Sequence, residues 1–282
     1  MQDRSPLYSA QHELRFQRQA LIEEYEKANN CRLVVLIGAI ISFSLTLFEE
    51  VLSDIDCNTN ELHVLLQSPG GDGEVAVRLA RAAQARCKSL VVIVPDVAKS
   101  AGTLFTLGAS RILMGPTSDL GPTDPQIVVK ANEPFVAAKD IIKSVEDAAA
   151  AVQKQPETYP LYSALLSDVS ALLLQQARAA LARGSDLLRE ALATNASRSD
   201  AEVQALAATL QPLLVDSPHS HGAIFGAKEA AAAGLPVETL APNSAQWKAI
   251  WSLWTRYFHL SGGGAKQMFA FEGTRISQIL GA

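Results

Sequence analysis

Ser100 stands in the stretch Lys99-Ser100-Ala101-Gly102-Thr103, after a hydrophobic run and before a segment of small apolar residues. A serine there can do one of two jobs: cap the helix that follows, or attack a carbonyl as an acyl-transfer nucleophile. The second job needs a group that takes the hydroxyl proton and backbone donors aimed at the developing oxyanion. Both kinds of group occur elsewhere in the chain. Gly70 and Gly71 in "SPGGDG" have no Cβ, so their backbone can approach a substrate closely. Asp124 lies in "LGPTDP", and His221 lies in "SPHSHGA". An imidazole ordinarily titrates in the range that general-base work requires. Lys139, Lys143 and Lys154 lie about 40 to 55 residues beyond the serine; Lys143 sits among acidic neighbours in "AAKDIIKSVED". Taken singly, these are an ordinary Pro-Gly-Gly turn, an Asx turn, a solvated loop histidine and lysines on a helix face. Lys99 adjoins Ser100, but consecutive side chains point apart. It suits binding of a substrate carboxylate better than proton transfer.

The elements around these residues alternate. "RLVVLIG", "ELHVLLQ", "SLVVIVP" and "RILMGP" read as strands, the first three as short β-branched or aliphatic runs. "TLFEEVLSDI", "GEVAVRLARAAQAR" and "AGTLFTLGA" read as the helices between them, with Val75, Leu79 and Ala82 on one face of the second. This order predicts an α/β fold with a mostly parallel sheet. The glycine-rich turns fall at strand ends, where sites gather in such folds. Residues 137–211 are rich in Ala, Leu, Gln and Arg and read as consecutive helices, with a capping box at Ser199–Glu202. "IFGAKEAAAAGLPV" reads as a helix closed by Gly234. The helix "SAQWKAIWSLWTRYF" places Trp247, Trp251 and Trp254 on one face for packing or subunit contact. Five segments follow: an N-terminal helix (1–30), an α/β core (31–136), a helical arm or lid (137–211), a return to the core (212–240), and the tryptophan helix with a tail (241–282).

Composition narrows the function. The 282 residues are 48% hydrophobic and carry a net charge of −5, without a basic cluster, which argues against nucleic acid as a partner. Cys31, Cys57 and Cys87 match no zinc or redox spacing, so no metal and no disulfide framework is expected. The start of the chain is polar and unlike a signal peptide, and Leu33–Phe48 falls short of the roughly 20 apolar residues that cross a bilayer. A cytoplasmic protein without a transmembrane segment is expected.

Taken together and in order, "LLQSPGGDGEVAVRLARA", "AKSAGTLFTLGASRILMGPTSDLGPTDPQI" and "HGAIFGAKEAAAAGLPV" resemble the Clp protease and signal peptide peptidase A superfamily, and within it the serine dehydrogenase proteinase family. The resemblance covers roughly residues 18–126 and resumes at 221–237. It implies a Clp/crotonase-like fold of stacked ββα units, here with an additional helical segment. It also implies Ser100 as nucleophile, with an oxyanion hole formed by an N–H of the Gly70/Gly71 pair and the N–H of Ala101.

The resemblance leaves the base open. The Clp branch uses a histidine about 25 residues after its serine, where this chain reads "GPTDPQ". Signal peptide peptidases use a lysine 40 to 50 residues beyond, near Lys139 and Lys143. The serine dehydrogenase branch places a histidine at position 221. The expectation is Ser100 with His221 and Asp124, and a Ser-Lys dyad using Lys139 or Lys143 is the alternative. The expected function is a cytoplasmic serine peptidase acting on peptide or protein substrates, without a cofactor and as a homo-oligomer. The alternatives are a crotonase-type acyl-CoA or thioester hydrolase or isomerase, and an inactive scaffold of the same fold.

Overall fold

Aliphatic runs can form parallel strands only where both sheet faces are covered, and this sheet is covered on both. The computed structural model describes residues 5–129, 135–218, 220–264 and 266–281; the remaining positions, including the first four of the expected N-terminal helix, lie outside the described residues. Helices α1 (Pro6–Gln11) and α2 (Glu13–Asn29) lead into β1 (Arg32–Ile37) and α3 (Ser44–Leu52). Next come β2 (Thr59–Gln67), α4 (Gly73–Gln84), β3 (Cys87–Val94), β4 (Val97–Ala98) and α5 (Ala101–Leu107). Strands β5 (Arg111–Met114), β6 (Asp119–Leu120), β7 (Gln126–Ile127) and β8 (Val136–Ala137) precede the helical segment. That segment holds α6 (Ala138–Lys154), α7 (Tyr159–Leu165), α8 (Ala171–Ala193) and α9 (Asp200–Gln211). The chain closes with β9 (Phe225–Gly226), α10 (Ala227–Ala232), β10 (Val237–Thr239), α11 (Ala245–Leu260), β11 (Phe269–Glu272) and β12 (Ser277–Leu280).

Among the described residues, the main sheet has the order β10-β5-β3-β2-β1-β11-β12. Its first five strands are parallel, and β11 and β12 add an antiparallel edge. Alternation along each strand splits the core in two. Val34 and Leu36 of β1 face α3, α4 and α5, together with Val64, Leu66, Val92 and Val94. Leu33, Val35 and Ile37 face the other way, toward Ile22 of α2 and Trp247, Ile250 and Trp254 of α11. The tryptophans therefore divide. Trp247 and Trp254 are core residues, the former against Gly115, where a Cβ would lie 2.2 Å from its ring. Trp251 is 43% exposed.

A second, smaller sheet stands at the carboxyl ends of the main strands. It contains β4, β6 and β9, and it is extended by single bridges from Ser68 to Ala98 and from Ile40 to Gly71. Each long strand thus continues into a short one before its helix: β2 through Ser68–Gly71 into α4, and β3 through β4 into α5. This is the stacked ββα arrangement of a Clp-like fold. Helix α8 lies along α4 and α5, with Leu187, Leu188, Ala191 and Leu192 in the main core. Arg198 fixes its far end by donating to the carbonyls of Leu192 (3.0 Å) and Leu107 (2.6 Å), the last residue of α5. The expected capping box at Ser199 is present, and Gly234 follows α10 at φ +88°.

Candidate active site

The site forms where the small sheet meets the helices. Ser100 has φ 49° and ψ −111°; among the described non-glycine residues only Asn30 shares a positive φ. An outlier of this kind costs about 1–3 kcal/mol and persists only when the surroundings impose it. The constraints are on both sides. The amide of Lys99 donates to the Ser68 carbonyl at 2.9 Å, and the Gly102 amide donates back to the Lys99 carbonyl at 2.7 Å. Buried Thr103 braces the turn further: its Oγ1 donates to the Ala98 carbonyl (2.7 Å) and accepts from the Gly121 amide (3.0 Å). Ser100 therefore opens α5 on a sharp turn but makes no side-chain capping bond. Its hydroxyl is left for another use.

The glycine loop presses against this turn. Gly70 has φ 113°, and a Cβ there would lie 2.8 Å from the Ser100 Cβ. Gly71 has φ 139°, and a Cβ there would lie 2.1 Å from the Ile40 carbonyl oxygen. Neither position tolerates a side chain. The two amides differ in use. The Gly70 amide donates to Ser68 Oγ at 3.1 Å, whereas the Gly71 and Ala101 amides have no acceptor among the described residues. Gly71 also lines the cavity that Ser100 lines.

That cavity measures about 530 Å³. Asp124 and His221 also line it, and Leu104, Gly184 and Leu187 contribute apolar surface. Helix α8 can pass this close because Gly184 has no side chain: a Cβ there would lie 2.8 Å from Pro125 Cγ. Asp124 is 1% exposed, and both its oxygens are engaged. Oδ1 accepts from His221 Nδ1 at 2.8 Å, and Oδ2 accepts from Lys139 Nζ at 3.1 Å and from Gln126 Nε2 at 3.0 Å. Burial pushes the Asp124 carboxyl upward, but the hydrogen bonds and charges of His221 and Lys139 outweigh it and hold the group below its ordinary value. An ionised carboxylate only accepts, so this bond selects an imidazole that carries a hydrogen on Nδ1. Among the described residues no hydrogen bond joins Ser100 Oγ to His221 or Lys139.

The other positions named from the sequence lie elsewhere. Lys143 is exposed and pairs with Asp147 of its own helix at 3.1 Å. Lys154 ends α6. The Lys99 ammonium, expected to be available to a substrate carboxylate, is instead bonded to Asp119 and to the carbonyls of Leu120 (3.0 Å) and Ala223 (3.3 Å). Nothing in a linear reading announces this, because the partners lie 20 to 124 residues away. A linear reading gives Thr103 and Gln126 no role. The cue for Thr103 was its place three residues after the serine, one helical turn along the same face.

The chain is 27% identical to the uncharacterized protein MJ0137 of Methanocaldococcus jannaschii over 197 residues, which is 69% of this chain and 60% of that protein. It is 32% identical to the uncharacterized protein MJ1495 of the same organism over 81 residues, 28% of each chain. It thus spans less than two thirds of the length of these relatives. Among solved structures, it aligns with a serine-to-alanine mutant of the 1510-N membrane-bound stomatin-specific protease. That alignment has 15% identity and a TM-score of 0.44 over 75% of this chain and 78% of the other. The decisive match is to a whole-family model covering residues 12–244, and by it the chain belongs to the ClpP-like SDH-type serine proteinases.

Proposed function

We propose that this proteinase cleaves peptide bonds through an acyl-enzyme on Ser100, with His221 as general base and Asp124 as the group that orients it. The observation that carries the reading is the 2.8 Å bond between His221 Nδ1 and buried Asp124, formed on the wall of the cavity that also holds Ser100. His221 Nε2 takes the Ser100 proton as Oγ adds to the substrate carbonyl. The oxyanion is met by the Gly71 and Ala101 amides, held by the backbone before the reaction begins. His221 then gives its proton to the leaving amine, and a water activated the same way releases the acyl group.

A specific observation favours a second reading: Lys139 is in the same cluster, 3.1 Å from Asp124. As a base it would need a free lone pair, yet its ammonium is committed to a carboxylate and it does not line the cavity. We therefore assign it to holding Asp124 ionised. An acyl-CoA substrate is disfavoured because Arg183, the one arginine on the cavity wall among the described residues, is already paired with Glu74 and Glu190. No helix among the described residues is long and apolar enough to cross a membrane. A cytoplasmic homo-oligomer remains part of the proposal, and light scattering that returns a monomer at micromolar concentration removes the oligomer.

Labelling with a fluorophosphonate tests the reading directly. Wild type is expected to label, Ser100→Ala not at all, and His221→Ala far more slowly. Equal labelling of wild type and Ser100→Ala would sink it.

A further inference from the structure

His221 is about one-third exposed, and Gly222 and Ile224 beside it are exposed. A base on such a loop needs an anchor close by. The segment following it is held at two points by one ion pair. Lys99 Nζ donates to the Ala223 carbonyl at 3.3 Å, and Asp119 Oδ1 accepts from the Phe225 amide at 2.8 Å. Lys99 and Asp119 are themselves bonded to each other, and their side chains are 18% and 16% exposed. Lys99 Nζ also bonds the Leu120 carbonyl at 3.0 Å, which joins the pair to β6. The path for the lysine stem is cleared by Gly121, where a Cβ would lie 2.4 Å from Lys99 Cδ.

Resting on the reading of His221 as base, we propose that the Lys99–Asp119 pair is a positioning clamp for that base. Lys99 is covalently next to the nucleophile, and its ammonium grips the chain two residues after the histidine. One side chain therefore sets the distance between the two halves of the reaction. Asp119 holds the second point and keeps the ammonium turned toward the loop. Lys99 acts through His221 and does not itself touch the reacting atoms. Loss of the grip is expected to leave substrate binding nearly intact and to slow the chemical step, because misplacing a base by about 1 Å can cost on the order of 100-fold.

A double-mutant cycle on the full chain tests this, using an unstructured fluorogenic peptide and a thermal melt of every variant. Lys99→Met is expected to lower kcat about 100-fold with KM changed less than about threefold. The same substitution in a His221→Ala background is expected to cost less than about threefold, because the histidine through which it acts is gone. Asp119→Asn, which keeps the shape and an oxygen for the Phe225 amide, supplies the cycle if Lys99→Met does not fold; about a tenfold loss is expected. Gly121→Ala crowds the lysine stem without removing a charge and is expected to lower kcat in the same His221-dependent way. Losses that persist undiminished without His221, or unchanged kcat in Lys99→Met and Asp119→Asn, overturn the clamp while leaving His221 as base. Full activity in His221→Ala overturns both.

Discussion

The two halves of the proposed site, nucleophile and base, are built from different materials. The nucleophile half is backbone: Ser100 at φ 49°, Gly70 and Gly71 at φ 113° and 139°, and unpaired amides at Gly71 and Ala101. Its pieces come from adjacent parallel strands, so the sheet that forms the core also fixes the register of Ser68 against Ala98. The base half is side chain. His221, Asp124 and Lys139 come from three separate segments, joined by bonds between groups 15 and 97 residues apart. A backbone site cannot be retuned without refolding, but it needs no reorganisation when charge develops. A side-chain site can exchange its base, and that is where the sequence left His221 and Lys139 as rivals.

The sharpest contrast is at Ser100. Ser100→Gly removes the nucleophile and is expected to lower activity about a million-fold. Glycine also adopts φ 49° freely, so the variant sheds about 1–3 kcal/mol of strain and gives back about 0.5–1 kcal/mol of backbone entropy. It should melt at or above the wild-type temperature while being inactive. A clear drop in melting temperature would mean that the turn is not strained.

In the base half, His221→Ala is expected to cost about 10,000-fold in kcat with little change in melting temperature, since the ring is partly exposed and general-base catalysis contributes on this scale. Asp124→Asn follows with about a thousandfold loss, because a neutral amide holds the imidazole less firmly and can select the wrong tautomer. Its stability effect depends on pH. The carboxyl is held below its ordinary value, so its stabilisation is complete above about pH 4 and is lost as pH falls through the folded-state value. The gap in melting temperature between wild type and Asp124→Asn should therefore close as pH falls below about pH 4. A gap that widened below about pH 4 would mean that the Asp124 carboxyl is held above its ordinary value in the fold.

What could be read from the sequence follows the same division. The parallel core, the helices and the three glycine turns were legible, because strand periodicity, turn residues and spacing are local signals. Ser100, Gly70 and Gly71 are close to one another along the chain, and their meeting follows from the order of the strands. The fate of Lys99 was not legible. Its neighbours in sequence say only that it points away from Ser100, and its acceptors at 119, 120 and 223 come together only through the small sheet. Lys139 and Lys143 were equally open for the same reason. They lie four residues apart on one helix, and helical periodicity puts them on neighbouring positions of nearly the same face.

The packing separates those two lysines, and the smallest predicted effects test the separation. Lys139 is 13% exposed beside a carboxylate that is 1% exposed, while Lys143 is 72% exposed beside one that is 64% exposed. Removing one partner of a buried pair strands the other charge, so Lys139→Met is expected to lower stability by about 3 kcal/mol. It should lower kcat only about tenfold, because Asp124 keeps its bond to His221 after losing the ammonium. An exposed pair four residues apart contributes about 0.3–0.5 kcal/mol, so Lys143→Ala should melt within about a degree or two of wild type. Its kcat should be unchanged. If Lys139→Met were instead as inactive as Ser100→Gly while His221→Ala kept its activity, the base would be the lysine. The side-chain half of the site would then have to be redrawn around it, with the backbone half left as it stands.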